Sequence, residues 1–230
     1  TNKPYVNQLG QGFRKFTPPT GDSLPSEKTR FKNGKLPSLR RRNAFWYSKP
    51  NTAYGINTFQ YTQSANHLSN SCAQAACATL IHKFGKVPTG LADDAVTDRI
   101  FQTHPPDEGS GTYPKTLAKA VKDYGLNCWL GYGAEYGADT IKKTLRQWVA
   151  AGYPCAVLLD MRGPLRSPAG AAYTGHWVVV FAYDDNETTG HVYLTNWDYA
   201  NWSNSWPVFK QAWSLADYPT FAYPLLIGWA

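Results

Sequence analysis

The chain has 230 residues, of which 43% are hydrophobic, so it is long and apolar enough to bury a sizeable core. This composition excludes an intrinsically disordered protein, and no apolar run approaches the ~18 residues that a membrane-spanning helix needs. The formal charge of +7 is uneven: residues 1–50 contain eleven Lys and Arg against two Asp and Glu, whereas residues 51–230 contain twelve against fourteen. Because most of the chain is near neutral, we expect no nucleic-acid partner. Because no apolar run is long enough, we expect no membrane span.

Residues 1–50 are predicted to form a basic, partly extended N-terminal arm, because they are rich in turn-forming residues and poor in periodic apolar positions. For the cluster Arg40-Arg41-Arg42 we consider contact with an anionic surface, cleavage of a pro-segment and a solvated linker. The first residues, TNKPYVNQ, lack the pattern of a signal peptide, which is compatible with one having been removed. The many Trp and Tyr residues favour a secreted or cell-surface protein.

Residues 51–230 are predicted to form one domain in which helices come first and strands mostly follow. In residues 72–85, CAQAACATLIHKFG, apolar positions recur at helical spacing and Gly85 can end the helix. The predicted elements are helices over 72–85, 92–101 and 113–124, a strand over 127–132, a helix over 139–151, and strands over 154–160, 176–183 and 191–196. This order predicts an α+β fold rather than alternating βαβ units.

Cys72 is the candidate nucleophile, because it opens a helix whose first N–H groups have no partner within the helix. Such a terminus can lower the pKa of a thiol and can donate a hydrogen bond to an oxyanion. The alternative is a buried structural cysteine, which describes Cys77 better because it lies within the helix. Cys128 and Cys155 lie in two predicted strands, where they either form a disulfide or belong to the core.

His176 is the candidate base, because it follows a glycine and starts the apolar strand WVVVFAY, where its ring would be held at the edge of a buried sheet. The alternative is a polar residue that merely begins a strand. The turn DDNETTG joins this strand to the next one, HVYLTN, as a hairpin rather than as a calcium loop. That pairing places Asn196 and Asp198 beside His176, so either can orient the imidazole.

Gln63 and Gln60 precede Cys72 across a polar stretch, and either could supply a second donor to an oxyanion. A glutamine in such a stretch is otherwise an ordinary surface residue. The aromatic residues Trp197, Tyr199, Trp202 and Trp206 either form a stacking platform for a sugar or peptide or fill the core. The spacing of Cys and His residues predicts no zinc site, and we expect no cofactor.

The stretches YTQSANHLSNSCAQAACATLIHKFG and GHWVVVFAYDDNETTGHVYLTNWD resemble the papain-like cysteine peptidase superfamily. The nearest branch is that of the bacteriocin-leader-processing, or double-glycine, peptidases and their secreted relatives. The resemblance implies a papain-like fold over residues 51–230, in which a helix carrying the Cys packs on an antiparallel sheet carrying the His and the Asn or Asp. It also implies that Gln63 is the oxyanion donor, Cys72 the nucleophile, His176 the base and Asn196 the orienting residue.

The expected function is that of a bacterial cysteine peptidase or amidase that cleaves a peptide or protein substrate through a thioester acyl-enzyme. Alternatives on the same scaffold are a peptidoglycan amidase or endopeptidase and an acyl transferase. A different class of alternative is a catalytically inactive binding module that uses the Trp-rich loop. We expect a monomer.

Overall fold

The computed structural model describes residues 14–15, 53–55, 61, 70–107, 111–161, 175–184, 186–196, 199–215 and 219–230. Its helices are α1 Cys72–Lys83, α2 Asp93–Thr103, α3 Pro114–Asp123, α4 Gly133–Tyr136, α5 Ala138–Ala150 and α6 Trp206–Trp213, with a 3₁₀ turn at Pro219–Phe221. Its strands are β1 Arg14–Lys15, β2 Ala53–Gly55, β3 Asn127–Gly131, β4 Cys155–Leu159, β5 His176–Asp184, β6 His191–Asn196, β7 Tyr199–Ser205 and β8 Leu225–Trp229.

The strands form one sheet in which β1, β2, β5, β4, β8 and β3 are hydrogen-bonded in that order, while β6 also pairs with β5, and β7 pairs with β6. All pairs are antiparallel except β1 with β2. The predicted α+β class, with the helix that carries Cys72 packed on an antiparallel sheet that carries His176 and Asn196, is confirmed. Within the described parts of the chain, no helix has the length and apolar character to cross a membrane.

Strand β5 is apolar along nearly its whole length because helices cover both faces of the sheet. On one face, Trp177 and Val179 pack with residues of α1, α2 and α3. On the opposite face, Val178 and Val180 pack with residues of α5 and α6. The alternation of side chains along β5 therefore divides the core into two clusters, and the N-terminus of α1 lies on the same side as Trp177.

Helix α1 ends as its sequence predicts. Gly85 adopts a left-handed conformation (φ 64°), its N–H donates to the carbonyl of His82, and the N–H of Lys86 donates to the carbonyl of Ile81. These two bonds form a Schellman motif, which satisfies carbonyls that have no partner within the helix. The N-cap residue Ser71 makes no capping bond with its side chain, although its carbonyl accepts the N–H of Ala75.

The region after β6 differs most from the prediction. Residues expected to form an aromatic loop instead form β7 and α6, and Trp206 is fully buried with its indole N–H bonded to the carbonyl of Asp184 at 2.6 Å. Trp206 is therefore a core residue and cannot serve a stacking platform. Strand β8 was also missed, although it lies between β4 and β3. Trp197 lies outside the described residues.

All four cysteines are free thiols. Cys128 pairs with Gly228 and Cys155 with Ile227, so the two thiols belong to strands on opposite sides of β8. Two strand spacings amount to about 9.5 Å, which exceeds the reach of a disulfide. Of the two alternatives, a disulfide or packing in the core, the structure adopts packing in the core for both cysteines.

In the N-terminal region, Arg14 and Lys15 pair in parallel with Tyr54 and Gly55 of β2. The cluster Arg40-Arg41-Arg42 lies outside the described residues. The division of the chain near residue 50 stays a prediction.

Candidate active site

Cys72 lies at the N-terminus of α1 with 8% of its surface exposed, against the beginning of β5. Burial raises the pKa of the Cys72 thiol, whereas hydrogen bonds from the backbone N–H groups of Trp177 and Ala73 to the sulfur lower it by less. The helix terminus alone predicts a lowered pKa, and the structure differs because desolvation of the thiolate outweighs these donors.

His176 is the first residue of β5, pairs with Leu159 of β4, and is 4% exposed. The amide that donates to the Cys72 sulfur belongs to the peptide bond between His176 and Trp177. The fold thus brings the first residue of α1 to the first peptide group of β5, although about a hundred positions separate them in the chain.

The hairpin β5–β6 brings the end of β6 beside the beginning of β5. Val180 pairs with Leu194 and Val179 with Thr195, which is the register expected from the turn. Asn196 is the last residue of β6, so its backbone lies one position beyond these pairs, and its side chain is not among those described. Of the other predicted site residues, Asp198, Gln63 and Gln60 lie outside the described residues.

A cavity of about 360 Å³ opens beside the thiol. Cys72 and Trp177 line it, as do Thr112 and Tyr113 from the segment that leads into α3. The other three cysteines do not line this cavity. Burial also raises the pKa of each of them, but without backbone donors comparable to those at Cys72. Cys72 is therefore the thiol that combines donor groups with access to a cavity.

Gln74 connects the N-terminus of α1 to the wall of the cavity, and the sequence analysis missed it. Its side chain is 2% exposed, and its Nε2 donates to the carbonyl of His104 at 2.8 Å and to Oγ1 of Thr112 at 3.2 Å. The carbonyl of Thr112 in turn accepts the indole N–H of Trp177 at 2.8 Å. The available signal was a lone amide in the otherwise small and apolar run CAQAAC.

No protein-family model matches this sequence, and no curated protein matches it either. Among solved structures, the protein is similar to the crystal structure of a double glycine motif protease from an AMS/PCAT transporter in complex with the leader peptide. The similarity has a TM-score of 0.49 at 13% sequence identity, and it covers 76% of this chain and 93% of that one. That protease is of the kind that the sequence resembles.

Proposed function

We propose that the protein is a cysteine-type hydrolase that cleaves a peptide or amide bond with Cys72 as nucleophile and His176 as base. The observation that carries this proposal is the position of the Cys72 sulfur, which lines a cavity at a helix N-terminus and accepts a hydrogen bond from the His176–Trp177 peptide group. A nucleophilic thiol needs donor groups, a nearby base and space for a carbonyl carbon.

The chemical steps follow from this placement. The proton of the Cys72 thiol passes to His176 as the sulfur attacks the substrate carbonyl. The resulting oxyanion is held by the amide of Cys72 and the side chain of Gln63. The C–N bond then breaks, the amine leaves with the proton from His176, and water hydrolyses the thioester.

The test combines site-selective alkylation with turnover of peptide substrates. Iodoacetamide should modify Cys72 faster than Cys77, Cys128 and Cys155, because Cys72 is the one of these four thiols that lines the cavity, and the rate should rise with pH because the thiolate is the reacting form. Cys72→Ala and His176→Ala should abolish turnover with folding intact, whereas Cys77→Ala, a matched change within the same helix, should not. Full turnover in Cys72→Ala would refute the proposal.

The orienting residue is assigned to Asn196 by the resemblance, and the position of its backbone beside β5 supports that assignment. Asn196→Ala should lower kcat by about 10-fold to 1,000-fold, because an imidazole that has lost its orienting partner samples unproductive orientations. Asp198→Ala is the matched control and should act more weakly. The reverse order of effects would transfer the role to Asp198.

The products distinguish hydrolysis from the related reactions on this scaffold. Release of a free carboxylic acid indicates a hydrolase, whereas an amide formed with an added amine indicates an acyl transferase. Digestion of unfolded protein, short peptides and purified peptidoglycan in parallel separates a peptidase from a cell-wall amidase. Absence of turnover on all three, with slow and equal alkylation of the four thiols, would favour the binding module.

A further inference from the structure

The end of β6 is joined to β5 through a side chain. The backbone N–H of Val179 donates a buried hydrogen bond of 3.1 Å to Oγ1 of Thr195. In an antiparallel sheet, a strand N–H ordinarily donates to a backbone carbonyl of the neighbouring strand. Because Thr195 is only 6% exposed, water has little access to this bond. The hydroxyl of Thr195 therefore serves as an acceptor for β5 just where β6 is about to end.

Thr195 is also the point at which the pairing of β6 with β7 becomes irregular. Leu194 pairs with Trp202 and Asn196 pairs with Tyr199, so two steps along β6 correspond to three along β7. An extra residue in one strand bends the local backbone and disrupts the ladder. On the other side of β6, Thr195 is the last residue that pairs with β5 in the described part of the chain.

Two residues of the proposed catalytic machinery lie next to this bond. Asn196 directly follows Thr195, and His176 begins β5 three positions before Val179. The direction in which the backbone leaves Thr195 sets the place of Asn196 relative to the start of β5. A displacement of about 1 Å in a group that positions a catalytic residue can cost about 100-fold in rate. The bond between Thr195 and Val179 therefore matters beyond its own contribution to the sheet.

We infer that Thr195 is a positioning residue, whose hydroxyl fixes the end of β6 against β5 and thereby holds Asn196 where it orients the imidazole of His176. This inference rests on the proposed function and adds one residue to it. Thr195 acts through Asn196 and has no contact with the substrate in this scheme. A purely structural Thr195 would satisfy the N–H of Val179 and have no specific effect on the reaction.

The first test compares Thr195→Val with Thr195→Ser. Valine keeps the branched shape but offers no acceptor to Val179, whereas serine keeps the hydroxyl. In Thr195→Val, kcat should fall by about 10-fold to 100-fold and KM should change by less than about 3-fold, because the orientation of the base changes and substrate binding does not. Thr195→Ser should retain most of the kcat. A wild-type kcat in Thr195→Val, or an equal fall in Thr195→Ser, would overturn the inference.

Thr144→Val is the matched control for the loss of a buried hydroxyl. Thr144 is 8% exposed in α5, and its Oγ1 donates to the carbonyl of Thr140 at 2.8 Å. Its kcat should remain within about 2-fold of the wild-type value, because this bond lies within one helix. An equal fall of kcat in Thr144→Val and Thr195→Val would overturn the inference. Thr195→Ala removes the same acceptor without adding a methyl group, and it takes the place of Thr195→Val if that variant does not fold.

A double-mutant cycle tests whether Thr195 acts through Asn196. Residues that act on one another give effects that do not add, whereas independent effects on the rate multiply. In the background of Asn196→Ala, the further change Thr195→Val should therefore lower kcat by less than about 2-fold. A second loss as large as that in the wild-type background would overturn the inference.

Nuclear magnetic resonance separates failure of this inference from failure of the proposed function, because it needs no turnover. The chain has five histidines, and the Cε1–Hε1 resonance of His176 is identified by its absence in His176→Ala. Thr195→Val and Asn196→Ala should both shift this resonance, and Thr195→Ser should leave it close to its wild-type position. Turnover that persists in Cys72→Ala would refute the proposed function alone. A resonance of His176 that does not move in Thr195→Val would overturn the inference, whether or not the protein is an enzyme.

Discussion

The indole N–H of Trp177 donates a hydrogen bond of 2.8 Å to the backbone carbonyl of Thr112, which joins the beginning of β5 to the wall of the cavity. The same residue donates its backbone N–H to the sulfur of Cys72. Trp177 therefore holds both the thiol and the segment that faces it. A change in this residue should affect the position of the nucleophile and the shape of the cavity together.

Trp177→Phe should lower both stability and activity. The change keeps an aromatic ring but leaves the buried carbonyl of Thr112 without its donor, at a cost of about 1–3 kcal/mol in the free energy of unfolding. Because the cavity wall and the thiol shift relative to each other, kcat/KM should fall by about 10-fold or more. Urea denaturation and peptide turnover measure the two effects.

Trp206→Phe is the matched control, because Trp206 is equally buried and also donates its indole N–H to a carbonyl, that of Asp184. It packs in the cluster on the opposite face of the sheet from Trp177. A similar loss of stability with normal kcat/KM is expected. Equal losses of activity in the two variants would contradict the specific role of Trp177.

Gln74→Leu should change substrate binding more than stability. The variant removes two donated hydrogen bonds, to His104 and Thr112, but also removes Oε1 of Gln74, a buried oxygen with no partner within the described structure. These effects oppose each other, so the free energy of unfolding should change by no more than about 1 kcal/mol. KM should rise by about 3-fold to 10-fold because Thr112 loses its anchor on α1.

Gln74→Glu provides the contrast, since it introduces a charge at a position that is 2% exposed. It should destabilise the protein by about 3 kcal/mol or more at neutral pH, and less in acid, where the carboxyl is protonated. Urea denaturation measures the free energy of unfolding of both variants, and Michaelis–Menten kinetics measures their KM. Loss of more than about 3 kcal/mol in Gln74→Leu would mean that the side chain serves stability rather than the cavity.

Stability should fall in alkaline solution because the core holds protonated thiols. Burial raises the pKa of Cys155 well above its ordinary value and that of Cys128 to about 12, whereas the pKa of a thiol in the unfolded chain is about 8.5. The folded state therefore keeps protons that the unfolded chain releases. Their stabilising contribution is fully present below about pH 8.5 and is lost as the pH rises toward the folded values.

Urea denaturation with a reductant, at about pH 7 and about pH 10, measures this dependence. Above the pKa of the unfolded thiol, each such group should reduce the free energy of unfolding by up to about 1.4 kcal/mol per pH unit. Cys155→Ala should make the decrease shallower, because one of the groups is then absent. A free energy of unfolding that stays constant over this range would contradict the burial of these thiols.

Gly125→Ala should destabilise the end of α3. Gly125 has a φ of 87°, and its N–H and that of Leu126 close the Schellman motif at the carbonyls of Lys122 and Val121. An alanine there adopts a left-handed conformation at a cost of about 1 kcal/mol, which corresponds to a Tm lower by about 2–4 °C. Gly111→Ala is the control, because its φ is not left-handed and its Cβ would meet no atom of the described residues within 4 Å. Equal Tm values for the two variants would contradict the assignment.

Local patterns along the chain were sufficient to predict several elements of the fold. The apolar spacing after Cys72, together with Gly85, predicted α1 to within two residues, and the helix predicted over 113–124 agrees with α3 to within one residue at each end. The hairpin turn predicted the register that brings Asn196 beside the start of β5. These features depend on interactions between residues that are close in sequence, so a periodicity or a turn motif is enough to predict them.

Contacts between residues far apart in the sequence decided the rest of the fold. Strand β8 lies between β4 and β3 only because its partners complete the sheet, and Trp206 is a core residue only because α6 packs on the sheet. The network that joins Gln74, Thr112 and Trp177 spans three elements, and no sequence motif encodes it.

The two candidate catalytic residues show the same division. The amino-acid sequence determined that a thiol opens a helix and that a histidine opens an apolar strand. Only the tertiary structure decided that the thiol lies against the first peptide group of that strand, beside an apolar cavity. The physical reason is that burial and desolvation, which raise the pKa of Cys72, depend on all the surrounding elements, whereas helix termini and strand ends depend on near neighbours.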